Sequence, residues 1–358
     1  MGGSIEKNVF IDTQTLNVKL YEAVKDLELK ITEFDTRQKE KNVSKDFTRR
    51  TTVVEVSGNG HTGRGEDVIY ENEKHIYPEM EIEGSYSFDG FSRSLEEKRL
   101  FPGEMEADET QRNYRRWAVE SAVLDLALKQ NGEDLGSVLG MDYSPVRFVA
   151  SPGMDGKQIE LLEEFTSREP GVEFKLDVSG SWDGEFVEKL REMDRVRVVD
   201  FKAHYEKDIG QPPADPELYS TVVSGLPDAI LEDPMIDGNT EEVFRGEEDR
   251  VTWDEPVKGV ESVRELPFTP EVLNMKPSRF GTVRSFLETV EYCRKKGIRM
   301  YGGGQFELGV GRKHIQAVAS IFYPDSPNDV APRVYNRSEL PGELPSSPLE
   351  LEPEDGIV

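Results

Sequence analysis

Cysteine is nearly missing from this chain: Cys293 is the single one among 358 residues. That excludes an intramolecular disulfide and any Cys-rich zinc site. Long apolar runs are missing too. No stretch of about 18 apolar residues exists, so nothing reads as a membrane span. The first ten residues lack a basic start followed by an apolar core, so no signal peptide is visible and the sequence reads as cytoplasmic. Positive charge is scarce, with 44 Lys+Arg against 71 Asp+Glu and a formal net charge of −27. Phosphate affinity comes mainly from basic patches, so the charge argues against general binding to nucleic acid or to an anionic membrane.

What is present in excess is acid. It has three readings: a disordered acidic tail, cation-binding clusters, or a solvated surface tuned to high salt, where a like-charge surplus keeps the protein soluble. The acids are spread along the whole chain, which favours the third. The length suits one large domain or two.

Two rhythms divide the sequence. Residues 1–140 mix strand signals with one long helix. Leu27-Glu28-Leu29-Lys30-Ile31 carries moderate strand character, and Arg50 to Val56 is strongly β-branched. Ser57-Gly58-Asn59-Gly60 reads as a hairpin turn, and residues 70–110 as loop with short helices. Trp117, Ser121, Leu124 and Leu128 share one face of a helix over Gln111 to Gln130, which Asn131-Gly132 ends as a left-handed cap. Residues 141–336 alternate short β-branched runs with helical stretches. The runs are Val146 to Ala150, Val172 to Val178, Val196 to Phe201, Asp228 to Leu231, Arg250 to Trp253, Val272 to Met275, Ile298 to Tyr301 and Asn328 to Ala331. Strands alternating with helices imply a parallel sheet, and eight units of this size fit a (β/α)8 barrel. The Pro- and Glu-rich tail 337–358 reads as extended or disordered.

Barrel active sites sit at the C-terminal ends of the strands. Polar residues there are Lys175 and Asp177 on the second strand, Asp200, Lys202 and His204 on the third, Glu232 and Asp233 on the fourth, Asp254 and Glu255 on the fifth, Lys276 on the sixth, Glu307 on the seventh and Asp329 on the eighth. From Lys175 the main series steps by 25, 32, 22, 22, 31 and 22 residues, which are βα-repeat lengths. Acids are 71 of 358 residues, so strand-end acids also arise as plain surface residues. Apolar flanks such as Ala229-Ile230-Leu231 before Glu232 argue against full exposure. Three carboxylates at one barrel mouth repel each other unless a cation sits among them. All-oxygen ligation suits Mg2+, with Mn2+ or Ca2+ as alternatives. A lysine beside such a metal has its charged form disfavoured and can serve as a base. The set suits proton abstraction next to a carboxylate: the metal holds the carboxylate and stabilises the enediolate while Lys276 takes the proton.

Several segments resemble the enolase superfamily in its muconate-lactonizing, mandelate-racemase-like branch. Asn274-Met275-Lys276-Pro277-Ser278-Arg279-Phe280-Gly281 resembles the sixth-strand lysine motif. Asp200, Leu231-Glu232-Asp233-Pro234 and Trp253-Asp254-Glu255 resemble the metal motifs. Gly303 to Arg312 is similar to the seventh-strand segment, Ala118 to Asp125 to the helix closing the N-terminal cap, and Gly63-Arg64-Gly65-Glu66 to a turn within it. The resemblance covers roughly residues 45 to 332. It implies an α/β architecture: a modified TIM barrel, (β/α)7β, with an N-terminal α+β capping domain. It also implies Mg2+ held by Asp200, Glu232 and Asp254, a small-molecule carboxylate substrate, a homo-oligomer, and specificity set partly by cap loops near 35–50 and 60–64. The outcome it allows is elimination, cycloisomerization or epimerization, in a lyase or isomerase.

Departures bear on mechanism. The branch usually carries Lys-x-Lys on strand two, and here the run is Phe174-Lys175-Leu176-Asp177. If Lys175 matches the first lysine, Asp177 replaces the second and two-base racemization is in doubt; if it matches the second, the catalytic pair of Lys276 and Lys175 is complete. Strand three often reads Asp-x-Asn, and here Lys202 stands at the third position. Lys202 is either a salt-bridge partner of the acids or a group for the substrate. Glu307 and Asp177 are further candidates for substrate contact, Glu307 alternatively making strand-end hydrogen bonds. The altered strand two also admits a catalytically inactive member acting as a binding or scaffold protein. Gly58-Asn59-Gly60-His61-Thr62-Gly63 matches a dinucleotide pattern, but residues 64–67 give no helical apolar face, so a hairpin is expected instead. His61 reads as an exposed turn residue, His204 as a hydrogen-bonded loop residue, His75 and His314 as structural, and Cys293 as a packing residue.

The salt reading predicts that stability, followed by unfolding against KCl, rises from low to molar salt as self-repulsion is screened. A stability that is flat or falls contradicts it.

Overall fold

The computed structural model describes residues 19–43, 47–153, 156–205, 211–336, 340, 342–351 and 354–357. The leader reading of the first ten residues therefore lies outside the described residues. The first part of the chain is a cap. β1 (Glu28–Ile31) pairs antiparallel with β5 (Gly84–Ser87), and β2 (Glu33–Asn42), β3 (Thr48–Gly58) and β4 (His61–Asp67) form an antiparallel sheet. Asn59 and Gly60 join β3 to β4 with φ of +51° and +82°, the geometry a tight hairpin requires. No helix opens at this Gly-rich run, so the dinucleotide pattern is a turn.

The long helix spans Glu109–Asn131. Asp108 and Gln111 form a capping box at its start, and Gly132 ends it in the left-handed region at φ +66°. β4 lies directly on this helix. A Cβ on Gly63 would come within 2.1 Å of the Ala122 carbonyl oxygen, and one on Gly65 within 2.0 Å of that of Ala118. These glycines let the sheet touch the helix backbone. The helix in turn reaches the barrel: Val283 donates to Glu120 at 3.0 Å, and Asn113 donates to the Arg279 carbonyl at 2.9 Å.

From residue 146 the predicted rhythm holds. The second to seventh barrel strands are β6 (Phe174–Asp177), β7 (Val196–Asp200), β8 (Ile230–Glu232), β9 (Val251–Thr252), β10 (Val272–Met275) and β11 (Arg299–Gly302). β6 to β9 form one parallel ladder and β10 and β11 another. The first and eighth runs appear only as parallel bridges, Ala150 with Phe174 and Phe148 with Asn328, and they close the ring. Helices Ile159–Arg168, Gly184–Met193, Pro216–Gly225, Val283–Lys296 and Gly311–Phe322 fall between the β-branched runs, as the alternation requires. The helix Phe88–Glu96 is one of the short helices expected over 70–110, whereas β2, the short β5 and the helices Leu20–Val24, Leu135–Leu139, Glu241–Phe244 and Val260–Arg264 escaped that reading. β2 exposes nearly every second residue and its sequence is mostly charged, so it carries almost no apolar signal.

The tail corrects its sequence reading in part. Leu349 bridges Val146 antiparallel, Leu344 and Ile357 are buried, and the Ile357 amide donates to Asp125 at 2.9 Å. Its described residues are docked, not disordered, because apolar residues spaced along a polar run find grooves in both halves of the chain.

Gly65→Ala is expected to cost about 1–3 kcal/mol or more in urea unfolding, because the new Cβ overlaps backbone that cannot yield. Gly184→Ala, whose Cβ meets nothing within 4 Å, is expected to be neutral.

Candidate active site

The parallel register brings the strand-end residues level. Asp177 lies opposite Asp200, and Asp200 opposite Glu232. Asp254 follows β9 by two residues, and Lys276 follows β10 directly. All five of Lys175, Asp200, Glu232, Asp254 and Lys276 are buried together. The carboxylates are already partnered. Lys175 Nζ lies 3.1 Å from Asp200 Oδ2 and 2.5 Å from Glu232 Oε1. Asn274 donates to Glu232 Oε1 at 3.0 Å, and the Tyr301 hydroxyl donates to its other oxygen. Asp254 receives Lys276 Nζ at 2.6 Å, Arg279 Nε at 2.9 Å and the Tyr205 hydroxyl at 3.2 Å.

The electrostatics divide accordingly. Burial pushes Glu232 up to about 7, with Asp200 and Asp254 adding to the rise and Lys175 opposing it. Burial alone would raise Asp254, but Arg279, Lys276 and Lys175 hold it well below the usual carboxylate range. Burial would lower Lys175, but Asp200, Glu232 and Asp329 hold it well above the ordinary lysine value. Burial, Asp254 and Asp200 push Asp233 well up. Its side chain accepts the amides of Asp254 at 2.7 Å and Glu255 at 3.0 Å, so it fixes the start of the fifth-strand loop. Asp233, Lys202 and Phe306 have φ of +49°, +53° and +56°. Left-handed non-glycine residues are strained, and here all three stand just past barrel strands at the mouth.

Lys175, Asp200 and Lys276 form the floor of a cleft of about 180 Å³, lined also by Tyr70, Asp177, Lys202, Tyr205, Gln305 and Arg312. Lys202 Nζ lies 2.7 Å from Asp177 Oδ2 at the rim. Burial would lower Lys202, yet Asp177 and Asp200 hold it above its ordinary value. Both earlier readings of Lys202 are thus present in one place: it is an ion-pair partner and it lines the cleft. Glu307 is a correction. It does not line the cleft; it accepts the Gln305 amide at 2.6 Å and pairs with Arg312 at 3.3 Å, so the strand-end role prevails because the loop needs its carboxylate. Residues 35–50 are largely β2 and β3, and among the described residues of the cap Tyr70 lines the cleft.

The decoys sort as expected. His204 meets the Pro234 carbonyl at 3.1 Å, His75 meets Thr52 and Ile69, and His314 and Cys293 are buried. Sequence reasoning missed Tyr205, Arg279, Tyr301 and Asn274. Arg279 and Asn274 stand inside the sixth-strand motif, and Tyr301 shares the inward phase of β11, so these had a signal. Tyr205 is in a loop and had none.

A divalent cation fits this donor set in chemistry: three buried acids from adjacent strands, with Glu232 held up by burial and by its acidic neighbours Asp200 and Asp254. As the side chains stand, no three acidic groups among the described residues converge on one ion position, because ammonium and guanidinium groups take the oxygens facing between them. Asp200 and Glu232 would hold such an ion only by giving up contacts with Lys175.

A family model described as the C-terminal domain of DUF8230, a domain of unknown function, matches residues 142–337, and the corresponding N-terminal model matches residues 22–138. The chain belongs to this family. It is similar to o-succinylbenzoate synthase of Bacillus subtilis (strain 168), 22% identical over 245 residues that cover 60% of this chain and 58% of that protein. The match thus spans less than two thirds of that relative's length. Among solved structures, an enolase-superfamily member from Listeria innocua Clip11262 superposes with a TM-score of 0.59 at 20% identity, covering 85% of this chain and 83% of that one. A dipeptide epimerase from Methylococcus capsulatus, complexed with Mg ion, gives 0.59 at 17% identity over 84% and 89%. The fold is that of the enolase superfamily, as the sequence motifs imply. No helix among the described residues is long and apolar enough to cross a membrane.

Asp254→Asn, which removes the buried counter-charge of Lys276 and leaves Arg279 only its 3.8 Å pair with Glu255, is expected to cost about 3–5 kcal/mol in urea unfolding without Mg2+. A cost below about 1 kcal/mol contradicts the pairing.

Proposed function

We propose that this protein is an enzyme that removes a proton α to a carboxylate, with Lys276 as the base. The observation that carries the reading is the placement of Lys276. It is a buried lysine at the end of β10 that opens on the cleft and touches the strand-end acid Asp254. Asp200, Glu232 and Asp254 are the residues to hold Mg2+, with Mn2+ as a substitute. The ion, when bound, supplies charge stabilisation for the carboxylate as it gains electron density. The Mg ion in the similarly folded dipeptide epimerase supports that choice.

The chain's own residues set the outcome. Lys276 faces the substrate carbon and accepts its proton, while Arg279 fixes Asp254 beside it. Lys175, among the acids, matches the first lysine of the strand-two pattern, and Asp177 stands where the second would be. The face opposite Lys276 then carries an ion pair, Asp177 with Lys202, in place of a free base. A one-base outcome such as elimination follows, which accords with likeness to a synthase. Small-carboxylate specificity fits the size of the cleft.

A second reading, a non-catalytic binding protein, is favoured by one observation: the acid oxygens all have partners in place of a common ion position. Detected turnover excludes it.

The test is solvent deuterium exchange at the α-carbon across a library of acid sugars, N-acyl amino acids and dipeptides, with Mg2+ present. Wild type is expected to exchange at least one, and Lys276→Ala to lose about 10²–10⁴-fold in rate. Exchange at the normal rate in Lys276→Ala refutes the assignment.

A further inference from the structure

The floor of the cleft balances its charges, but its seventh-strand wall does not satisfy its donors. Gln305 and Arg312 line that wall and are only 3% and 7% exposed. Among the described residues, Gln305 Nε2 and Arg312 Nε have no hydrogen-bond partner. Arg312 pairs with Glu307 through Nη2 at 3.3 Å, and its Nε–H is left without an acceptor. Buried N–H groups without acceptors are rare in folded proteins and call for an explanation.

Arg49 stands behind the same wall. It is fully buried, and every donor goes to a backbone carbonyl: Arg50, Val68, Ile69, Gln305 and Phe306. Among the described residues no carboxylate pairs with it. Its charge is solvated by peptide dipoles but not neutralised. Tyr70, the cap residue in the cleft, lies flat on its guanidinium with the ring centre 4.2 Å away. The wall therefore sets two arginines, Arg49 and Arg312, against two carboxylates, Glu307 and Glu66, and Glu66 is spent on the Leu308, Gly309 and Gly311 amides.

We propose that Gln305 and Arg312 form a second recognition point that takes a carboxylate at the far end of the substrate from the carbon that loses its proton. Arg49 is a positioning residue: it holds the Gln305–Phe306 backbone in place and adds positive potential behind the wall. The proposal rests on reading the cleft floor as the place of the reacting carboxylate, and it makes the substrate a short dicarboxylate. The cleft, at about 180 Å³, is below the roughly 300–1,000 Å³ of sites for larger ligands, which suits a compact acid with one charged group at each end.

The test uses glutarate as the dicarboxylate probe, butyrate as its one-ended counterpart and glutaramate as its amide-ended counterpart. Binding is measured by calorimetry in excess Mg2+ on wild type, Gln305→Met, Arg312→Met and Arg312→Lys. Gln305→Met keeps the backbone bonds to Arg49 and Glu307, and Arg312→Lys keeps the charge beside Glu307. Wild type is expected to prefer glutarate to butyrate by about tenfold or more. Gln305→Met and Arg312→Met are expected to lose most of that ratio, and Arg312→Lys to restore part of it, with urea midpoints recorded alongside. A ratio unchanged in the variants, a wild type with no preference for glutarate or no binding of it, or glutaramate binding as tightly as glutarate each overturns the proposal. Failure of the functional reading shows separately: a glutarate preference that depends on Gln305 and Arg312, with no α-proton exchange on any acid of the library, leaves the subsite standing and removes the reaction.

Discussion

The structure depends on one constraint: buried carboxylates at adjacent strand ends must be balanced by positive charge. Two unit charges 4 Å apart interact by about 4 kcal/mol at an effective dielectric near 20, so Asp200, Glu232 and Asp254 cannot share the barrel mouth unaided. Lys175 answers for the first two and Lys276 with Arg279 for the third. The neutral donors Tyr301, Asn274 and Tyr205 complete the set. The residues that supply charge balance are thus the same ones that the proposed chemistry uses.

The cap is fastened to the barrel by the same logic. Glu66, at the end of β4, accepts the amides of Leu308, Gly309 and Gly311 at 2.7 to 2.9 Å, which satisfies donors at the start of the Gly311–Phe322 helix. Burial raises its pKa while these amides oppose the rise. Gly309 and Gly311 leave room for that carboxylate, since a Cβ on either would come within about 3.0 Å of it. Arg49 ties the cap strand β3 to Gln305 and Phe306, earlier in the same loop. The seventh-strand loop, and with it one wall of the cleft, is therefore shaped from the cap.

Much of this was legible in the sequence, and for identifiable reasons. The barrel strands are buried on both faces, so runs such as Val196-Arg197-Val198-Val199 stand out against the helices between them. The acids recur at repeat lengths because register places equivalent positions level. What escaped was long-range. Nothing local marks Tyr205 as a partner of Asp254, or tells Glu307, which turns under its own loop, from Asp200, which faces its neighbours. β2 is hidden by its charges, and the Gly63 and Gly65 spacing is explained only by the helix against which they pack. The acid surplus itself obscured the site, because surface acids and site acids look alike until burial separates them.

The central claim is that Asp200, Glu232 and Asp254 form one cation site for which Lys175 competes. Calorimetric titration of Mg2+ into wild type and Lys175→Met tests it most directly. The account predicts one ion per chain, bound at least tenfold more tightly when the Lys175 charge is removed, and lost in Glu232→Gln. No binding in either protein, or equal affinity in both, contradicts it.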